Sequence, residues 1–155
     1  LEGLREIPQI SVGGEVALPG CVFVTLYDEQ GDLRGCIGTL RPCEPNLARE
    51  TWKNAISAAF GDPRFPAVPP NELKDLRICV TVLGGMEPVQ SDAQLDASIF
   101  GVVVKSADGR RGVLLPDIEG VNTPRRQIEI ARRKAGIGSD EPIELFRFRA
   151  RCFEE

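Results

Sequence analysis

The stretch Cys21–Leu40, CVFVTLYDEQGDLRGCIGTL, decides the fold class of this 155-residue chain. It consists of two runs rich in β-branched and apolar residues, joined by the polar segment DEQGD. Two such runs around a short turn-forming segment predict an antiparallel β-hairpin. Cys36 then lies on the second strand between Gly35 and Gly38, where the missing side chains leave room for a ligand or another backbone to approach.

A helix is predicted directly after this hairpin, in the segment PNLARETWKNAISAAFG at residues 45–61. Asn46 is a suitable N-cap and Gly61 is a suitable end, because these residue types satisfy or terminate the ends of helices. The apolar residues recur at helical spacing, which predicts that one face of the helix packs on the sheet. That face consists of Leu47, Ala48, Trp52, Ala55, Ile56 and Ala59.

A loop and a further strand follow the helix. The segment DPRFPAVPP, residues 62–70, carries four prolines, which prevent a regular strand ladder and fix much of the backbone. A short helical turn is expected over residues 71–76. The run RICVTVLG, residues 77–84, alternates as a strand covered on both faces would, so we expect it in the centre of a sheet.

The second half of the chain repeats the same kinds of element. FGVVVKSADGRRGVLLP, residues 100–116, predicts a second hairpin in which Asp108–Gly109 supplies the positive φ angles of a tight turn. NTPRRQIEIARRKAGI, residues 122–137, predicts a second helix that has Thr123 as its N-cap and Gly136 just after its last turn.

The last predicted element is a single half-buried antiparallel strand in PIELFRFRARCF, residues 142–153, where apolar residues alternate with arginines. Hairpins interspersed with helices indicate an α+β fold built on mainly antiparallel sheet. A chain of 155 residues fits one domain, so residues 1–155 are expected to form it.

Composition excludes several classes of function. The chain has five cysteines, no CxxC pair and no histidine, so we expect neither a disulfide framework, nor a metal site, nor a His-activated nucleophile. Reduced thiols and a cytoplasmic location are the expectation. No nucleotide-binding glycine motif follows a strand, so no cofactor is expected. No apolar run approaches the about 20 residues that cross a bilayer.

Several segments resemble the AMMECR family, in the family's order. LRGCIG at residues 33–38 is similar to the signature hexapeptide of the family. KNAISAAFGDPRFPAV at residues 53–68, ELKDLRICVTVLGGMEPV at residues 72–89 and QIEIARRKAGI at residues 127–137 are similar to its later blocks. The resemblance spans nearly the whole chain.

The resemblance implies an α+β fold with a larger antiparallel sheet flanked by helices and a smaller subdomain. Members of the family usually begin with a further helix, so we expect residues 1–155 to be an AMMECR-type domain without that helix. Bacterial and archaeal members resemble one component of a three-part system with Memo-family and radical-SAM proteins. Those proteins are therefore the expected partners, and a small molecule or a modification pathway is the expected object of the activity.

Cys36 is the candidate reactive residue. The functional hypothesis is a thiolate that is activated by Arg34 or by another cation nearby and that attacks or holds a substrate. The site is opened by Gly35 and Gly38, and Thr39 is predicted to bind the substrate. The alternative is a small buried hydrophobe, which is the commoner role of a free cysteine on a strand.

The DPRF segment presents Asp62 and Arg64 on a proline-stiffened loop. Arg64 is predicted to bind a carboxylate or phosphate, with Asp62 orienting it or acting as a base. The alternative is that Asp62 accepts bonds from the amides of its own loop while Arg64 forms a surface ion pair. Gln127 and Lys134 lie two helical turns apart and are predicted to line the substrate site, against the alternative that both are solvated.

Three functions remain open at this point. The favoured one is an enzyme or enzyme subunit that acts on a small molecule through Cys36, Arg34 and the Asp62–Arg64 pair. A noncatalytic module that binds a small molecule or a protein is the second. A nucleic-acid-associated regulator is disfavoured, because the arginine stripe of the final strand lacks an interleaved aromatic residue and the chain carries a formal net charge of −4.

Overall fold

The computed structural model describes residues 11–155. Within them the chain divides into two compact units. The first unit comprises the described residues up to Leu83 together with Arg151–Glu155, and the second comprises Gly84–Ala150. Each unit has its own four-stranded sheet and its own long helix. The α+β prediction, with mainly antiparallel sheet flanked by helices, is confirmed.

The first unit is built on an antiparallel sheet with the strand order β2-β1-β3-β8. The predicted hairpin is present, and β1 pairs with both β2 and β3, which confirms a strand at 77–83 inside the sheet. A single turn of 3-10 helix precedes that strand. The elements are β1 (Cys21–Tyr27), β2 (Leu33–Gly38), α1 (Leu47–Phe60), β3 (Arg77–Leu83) and β8 (Ala150–Glu154).

The second unit has the sheet order β4-β7-β5-β6, again antiparallel throughout. The second predicted hairpin is its β5–β6 pair, and the second predicted helix follows directly. The elements are β4 (Glu87–Pro88), β5 (Gly101–Ser106), β6 (Arg111–Leu114), α2 (Pro124–Lys134) and β7 (Ile143–Phe148).

The two units share one connection pattern. In each, a hairpin is followed by a helix and then by a strand that pairs with the first strand of the hairpin. A short or terminal strand completes the far edge in both cases. This internal repeat of topology is not visible as a repeat of sequence.

Local capping chemistry sets the helix ends as predicted. The side chain of Asn46 accepts a hydrogen bond from a backbone N–H in the first turn of α1, and Thr123 does the same for α2. Gly136 follows α2 with a φ of 66°. The prediction for Asp108 is wrong: in the β5–β6 turn Gly109 has a positive φ and Asp108 does not, and the Asp108 carboxylate instead accepts from neighbouring side chains.

The buried face of α1 includes Ala55 and Ala59 of the predicted apolar face, but also polar residues that the prediction left out. Glu50, Asn54 and Ala58, spaced four residues apart, have exposed fractions of 0%, 3% and 2%. Asn54 donates from Nδ2 to the Val22 carbonyl oxygen at 3.0 Å, so the helix is hydrogen-bonded to β1 as well as packed on it. Burial of polar groups is tolerated here because each has partners.

The final predicted strand is in fact two strands in two sheets. β7 pairs with β4 and β5, whereas β8 joins the sheet of the first unit beside β3. Arg149 lies between them, and its carbonyl oxygen accepts from the Gly84 N–H at 2.7 Å. The sequence alternation continues across the break, but β8 is not half-buried as predicted: Ala150 is partly buried and residues 151–154 are exposed. Within the described residues, neither helix is long and apolar enough to span a membrane.

Candidate functional site

Cys36 lies on β2, the edge strand of the first sheet, with its side chain on the face opposite α1. The strand register pairs Cys36 with Thr25, and the Cys36 Sγ lies 3.2 Å from the Thr25 Oγ1. Val24 and Leu26, which alternate with Thr25, pack against α1. The thiol is free and half-buried.

Asp62 holds the outer edge of β2 at Cys36. Its Oδ2 accepts from the Cys36 backbone N–H at 2.9 Å, and its Oδ1 accepts from the Arg64 backbone N–H at 3.0 Å. The carboxylate is also bound by the Arg64 guanidinium, and the residue is only 4% exposed. The bond from Arg64, aided by these backbone donors, holds the pKa of Asp62 far below its usual range.

Arg64 is the cation beside Cys36. Its Nη2 lies 2.7 Å from the Asp62 Oδ2 and 3.4 Å from the Cys36 carbonyl oxygen. The bond to Asp62 raises the pKa of Arg64, and its attraction to the Cys36 sulfur adds to this effect. The Arg64 side chain is 55% exposed, so it can be reached from solvent. The structure thus places Asp62, Arg64 and Cys36 together.

The Arg34 guanidinium is bonded to Pro66 in the proline-rich loop and to Glu72 just after that loop. Its Nε lies 2.5 Å from the Glu72 Oε1, and its Nη1 donates to the Pro66 carbonyl oxygen at 2.8 Å. The Arg34 side chain is 12% exposed. These contacts fix the loop to β2. Glu72 lies 38 residues from Arg34, so no local pattern predicts this pairing.

The two glycines around Cys36 have packing roles. A Cβ built on Gly35 would overlap the Ala58 carbonyl oxygen, so this glycine lets the backbone of α1 approach the sheet. A Cβ on Gly38 would overlap the ring of Phe23, its partner in the strand register. The space at Gly35 was predicted to admit either a ligand or another backbone, and the structure shows the backbone of α1 there.

Thr39 belongs to a separate cluster around Glu50. The Glu50 carboxylate, which is 0% exposed, accepts from the Thr39 hydroxyl at 2.5 Å and from the Cys43 and Glu44 backbone N–H groups at 2.8 Å. These bonds hold the loop between β2 and α1 in place. Glu50 was missed from the sequence. Glu50 and Asn54 lie four residues apart, a spacing that places them on one face of the helix. That spacing could have indicated a polar buried face, but the apolar residues of α1 are more numerous and predict a different one.

Gln127 and Lys134 lie in the second unit. The Gln127 Nε2 donates to the Phe100 carbonyl oxygen at 2.8 Å, and the Lys134 Nζ donates to the Val113 carbonyl oxygen at 3.0 Å. Lys134 therefore binds α2 to β6, and Gln127 binds α2 to the residue just before β5. Gln127 is 1% exposed, and its Oε1 accepts no hydrogen bond from the part of the chain that the structure describes.

The cysteines do not all remain reduced. Cys79 and Cys152 form a disulfide between β3 and β8, which corrects the expectation of five free thiols. Their sulfurs and a Glu154 carboxylate oxygen lie within 4.8 Å of one another, a donor set for a metal ion only if the disulfide is reduced. Cys21 is free, and burial raises the pKa of its thiol, with a further contribution from Glu50.

The three arginines near the end of the chain do not form one stripe. The guanidinium carbons of Arg147 and Arg149 lie 4.3 and 4.8 Å from the centroid of the Phe100 ring, so an aromatic ring does accompany them. Arg151 instead pairs with Glu15 at 2.7 Å in the first unit.

Comparison with known proteins agrees with the resemblance of the sequence blocks. A protein from Thermotoga maritima is 52% identical over 127 residues, covering 81% of this chain and 72% of that protein. A Clostridium acetobutylicum protein is 42% identical over 147 residues, and the chain spans only 31% of its length.

The fold also has a counterpart in a solved structure. The crystal structure of an uncharacterized protein from Pyrococcus horikoshii is 31% identical, with a TM-score of 0.88, and the match covers 99% of this chain and 84% of that chain. The AMMECR1 family model matches residues 4–153. The chain therefore belongs to the AMMECR1 family.

Proposed function

We propose that this protein is an enzyme or enzyme subunit that binds a small anionic molecule at Arg64 and acts on it through the Cys36 thiol. One observation carries the proposal: the half-exposed Arg64 side chain is held beside Cys36 by a buried carboxylate that is itself bonded to the Cys36 backbone. Such an anchored guanidinium loses little conformational freedom when it binds a carboxylate or phosphate.

The surrounding residues have positioning roles in this proposal. Both Asp62 oxygens already accept hydrogen bonds and the pKa of Asp62 is strongly lowered, which favours a fixed anion over a general base. Arg34 holds the loop through Glu72, so it supports Arg64 indirectly. The Thr25 hydroxyl, 3.2 Å from the sulfur, is placed to donate to a Cys36 thiolate.

Two alkylating probes of different charge test the proposal. Iodoacetate carries a carboxylate and iodoacetamide is its neutral counterpart, so their rate ratio at Cys36 reports anion recognition separately from access to the thiol. We expect the ratio of iodoacetate to iodoacetamide rates to be several-fold higher at Cys36 than at Cys43, a free and exposed thiol. Mass spectrometry of the labelled peptides measures both rates in one sample.

An Arg64→Gln variant should lower this ratio at Cys36 to that of Cys43, and Arg64→Lys should retain part of it. Arg77→Gln is the matched control, because Arg77 is an exposed arginine of the same sheet that stacks on Tyr27. Equal ratios at the two thiols in the parent protein would contradict the proposal.

A noncatalytic binding module is the second candidate. It is favoured by the fact that the Asp62–Arg64 pair is already used to close the edge of β2. The labelling experiment separates the two functions. A Cys36 that reacts only after unfolding would support the binding module, and selective reaction in the folded protein would support the enzyme.

The remaining expectations belong to this proposal as well. A cytoplasmic location is proposed because a reactive Cys36 must stay reduced, and the Cys79–Cys152 disulfide is then an exception to the rule that cytoplasmic thiols stay reduced. Memo-family and radical-SAM proteins are proposed partners on the family resemblance alone. Untargeted metabolite profiling of a strain that carries Cys36→Ser in place of the parent gene would identify an accumulating substrate, and an unchanged profile would count against a catalytic Cys36.

A further inference from the structure

The second unit contains a cavity that none of the predicted site residues lines. It has a volume of about 510 Å³ and lies along α2. Ligand sites for small molecules typically fall between about 300 and 1,000 Å³. The cavity is therefore large enough for a metabolite-sized ligand.

The floor of the cavity is apolar. Val89, Ile128, Ile143 and Leu145 line it, and each is a partly buried side chain packed against the core of the second unit. These four residues come from three separate segments of that unit, so the floor is continuous with the core. An apolar ligand body placed here would remove exposed hydrocarbon surface on both sides from water.

Arg132 supplies an ordered charge at the rim. Its Nη1 donates to the Gly138 and Glu141 carbonyl oxygens at 2.6 and 2.9 Å, which fixes the half-buried guanidinium. Among residues 11–155, no carboxylate pairs with Arg132 and no acceptor bonds its Nε or Nη2. Those two nitrogens lie side by side in the geometry that binds a carboxylate through both oxygens.

The charges nearby favour an anion at the Arg132 end. A neighbouring hollow of about 340 Å³ shares Arg132 and Ser139 with the cavity and adds Arg133. Glu129 also lines both hollows, but its two carboxylate oxygens are bonded by Arg125 and Arg126. Asp92 lines only the larger cavity.

We propose that this cavity binds a small carboxylate with an apolar body, the carboxylate on Arg132 and the body on the apolar floor. The site is separate from the Cys36 proposal and stands or falls independently of it. The residues assign the chemical class of the ligand: a monoanion whose hydrocarbon part is comparable in size to a medium-length acyl chain or an aromatic ring.

Isothermal titration with decanoate tests the site, with decylammonium as the probe that has the same tail and the opposite charge. We expect saturable binding of decanoate at one site and binding of decylammonium at least about tenfold weaker, the ratio that one charge-assisted bidentate pair supplies. Absence of saturable decanoate binding, or equal affinities for the two probes, would overturn the proposal.

Variants locate the binding. Arg132→Gln should weaken decanoate binding about tenfold or more. Arg111→Gln, the same change at an exposed arginine of β6 that does not line the cavity, should leave binding within about twofold. Because Arg132 also holds its loop, Ser139→Phe is the second variant. Ser139 is exposed, so a phenyl ring there should fill the cavity and abolish binding without lowering the melting temperature. A Ser139→Phe protein that melts and binds like the parent would exclude this cavity as the site.

Discussion

Asp62 accepts a hydrogen bond from the backbone N–H of Cys36 at 2.9 Å, at the outer edge of β2. With the Arg64 guanidinium on the Cys36 carbonyl oxygen, the pair supplies the donor and acceptor that a neighbouring strand would otherwise supply. The same contact that positions a cation beside the thiol therefore also closes the sheet edge.

Asp62→Asn should destabilise the protein by about 2 kcal/mol at neutral pH, because an amide cannot accept all the N–H groups that now converge on the carboxylate. The lowered pKa of Asp62 gives this difference a pH dependence. Its stabilisation is present above the pKa of an unfolded aspartate, about 3.9, and is lost as the pH falls below it.

Urea denaturation of parent and Asp62→Asn at several pH values measures this effect. The gap in the free energy of unfolding should be constant from pH 7 to about pH 5 and should shrink at lower pH. Asp75→Asn, a change at an exposed aspartate of the same unit, is the control. A gap that stays constant down to pH 2 would mean that the partners of Asp62 do not lower its pKa in the folded state.

Gly35→Ala should cost about 1–3 kcal/mol, because the added methyl group meets the Ala58 carbonyl oxygen in a packed interface. Gly112→Ala should behave in the same way in the second unit, where a Cβ would overlap the Ala131 carbonyl oxygen. Gly85→Ala is the control, since nothing lies within 4 Å of its Cβ position. Thermal unfolding ranks the three. A Gly35→Ala protein as stable as the Gly85→Ala control would refute the role of Gly35 in packing.

Glu50→Gln should destabilise the protein by about 1–3 kcal/mol, because the new amide presents N–H groups to donors that now bond the carboxylate. It should also lower the pKa of the Cys21 thiol, since Glu50 is one of the causes that raise it. The pH profile of Cys21 alkylation measures this change. Glu29→Gln, the same charge change at an exposed site, should leave both properties unaltered.

Reduction of the Cys79–Cys152 disulfide should lower the free energy of unfolding by about 4 kcal/mol, the loop-entropy value for a separation of 73 residues. Thiol titration of the denatured, unreduced protein should find three thiols, and five after reduction. In Cys152→Ser the stability should no longer respond to reductant, whereas Cys43→Ser should respond like the parent. Five thiols before reduction would contradict the bond.

Local chemistry accounts for the parts of the fold that were predicted from sequence. Residues only a few positions apart specify each of these parts: the β1–β2 hairpin, the N-caps Asn46 and Thr123, and the glycine after α2. Their physical causes, turn geometry and orphan N–H groups, act over the same short range.

The parts that were not predicted depend on contacts between distant segments. Glu50 is buried because the loop after β2 brings two N–H groups to it, and Arg34 is occupied by Glu72 rather than available to the thiol. The break at Arg149 separates two strands whose alternation is continuous. In each case the local pattern is compatible with two outcomes, and the tertiary partner selects one of them.

The chain leaves the first unit at Leu83 and rejoins it only at Arg151, so β8 emerges from the ribosome after the whole second unit. Until then β3 has a free edge, which is open to pairing with another chain. The second unit is continuous in sequence, and its ends are joined by the Gly84 N–H on the Arg149 carbonyl oxygen. Folding of the second unit therefore shortens the loop that must close before β8 can pair with β3. Because the second unit is synthesised before β8, we expect it to fold first and to bring β8 to the sheet of the first unit.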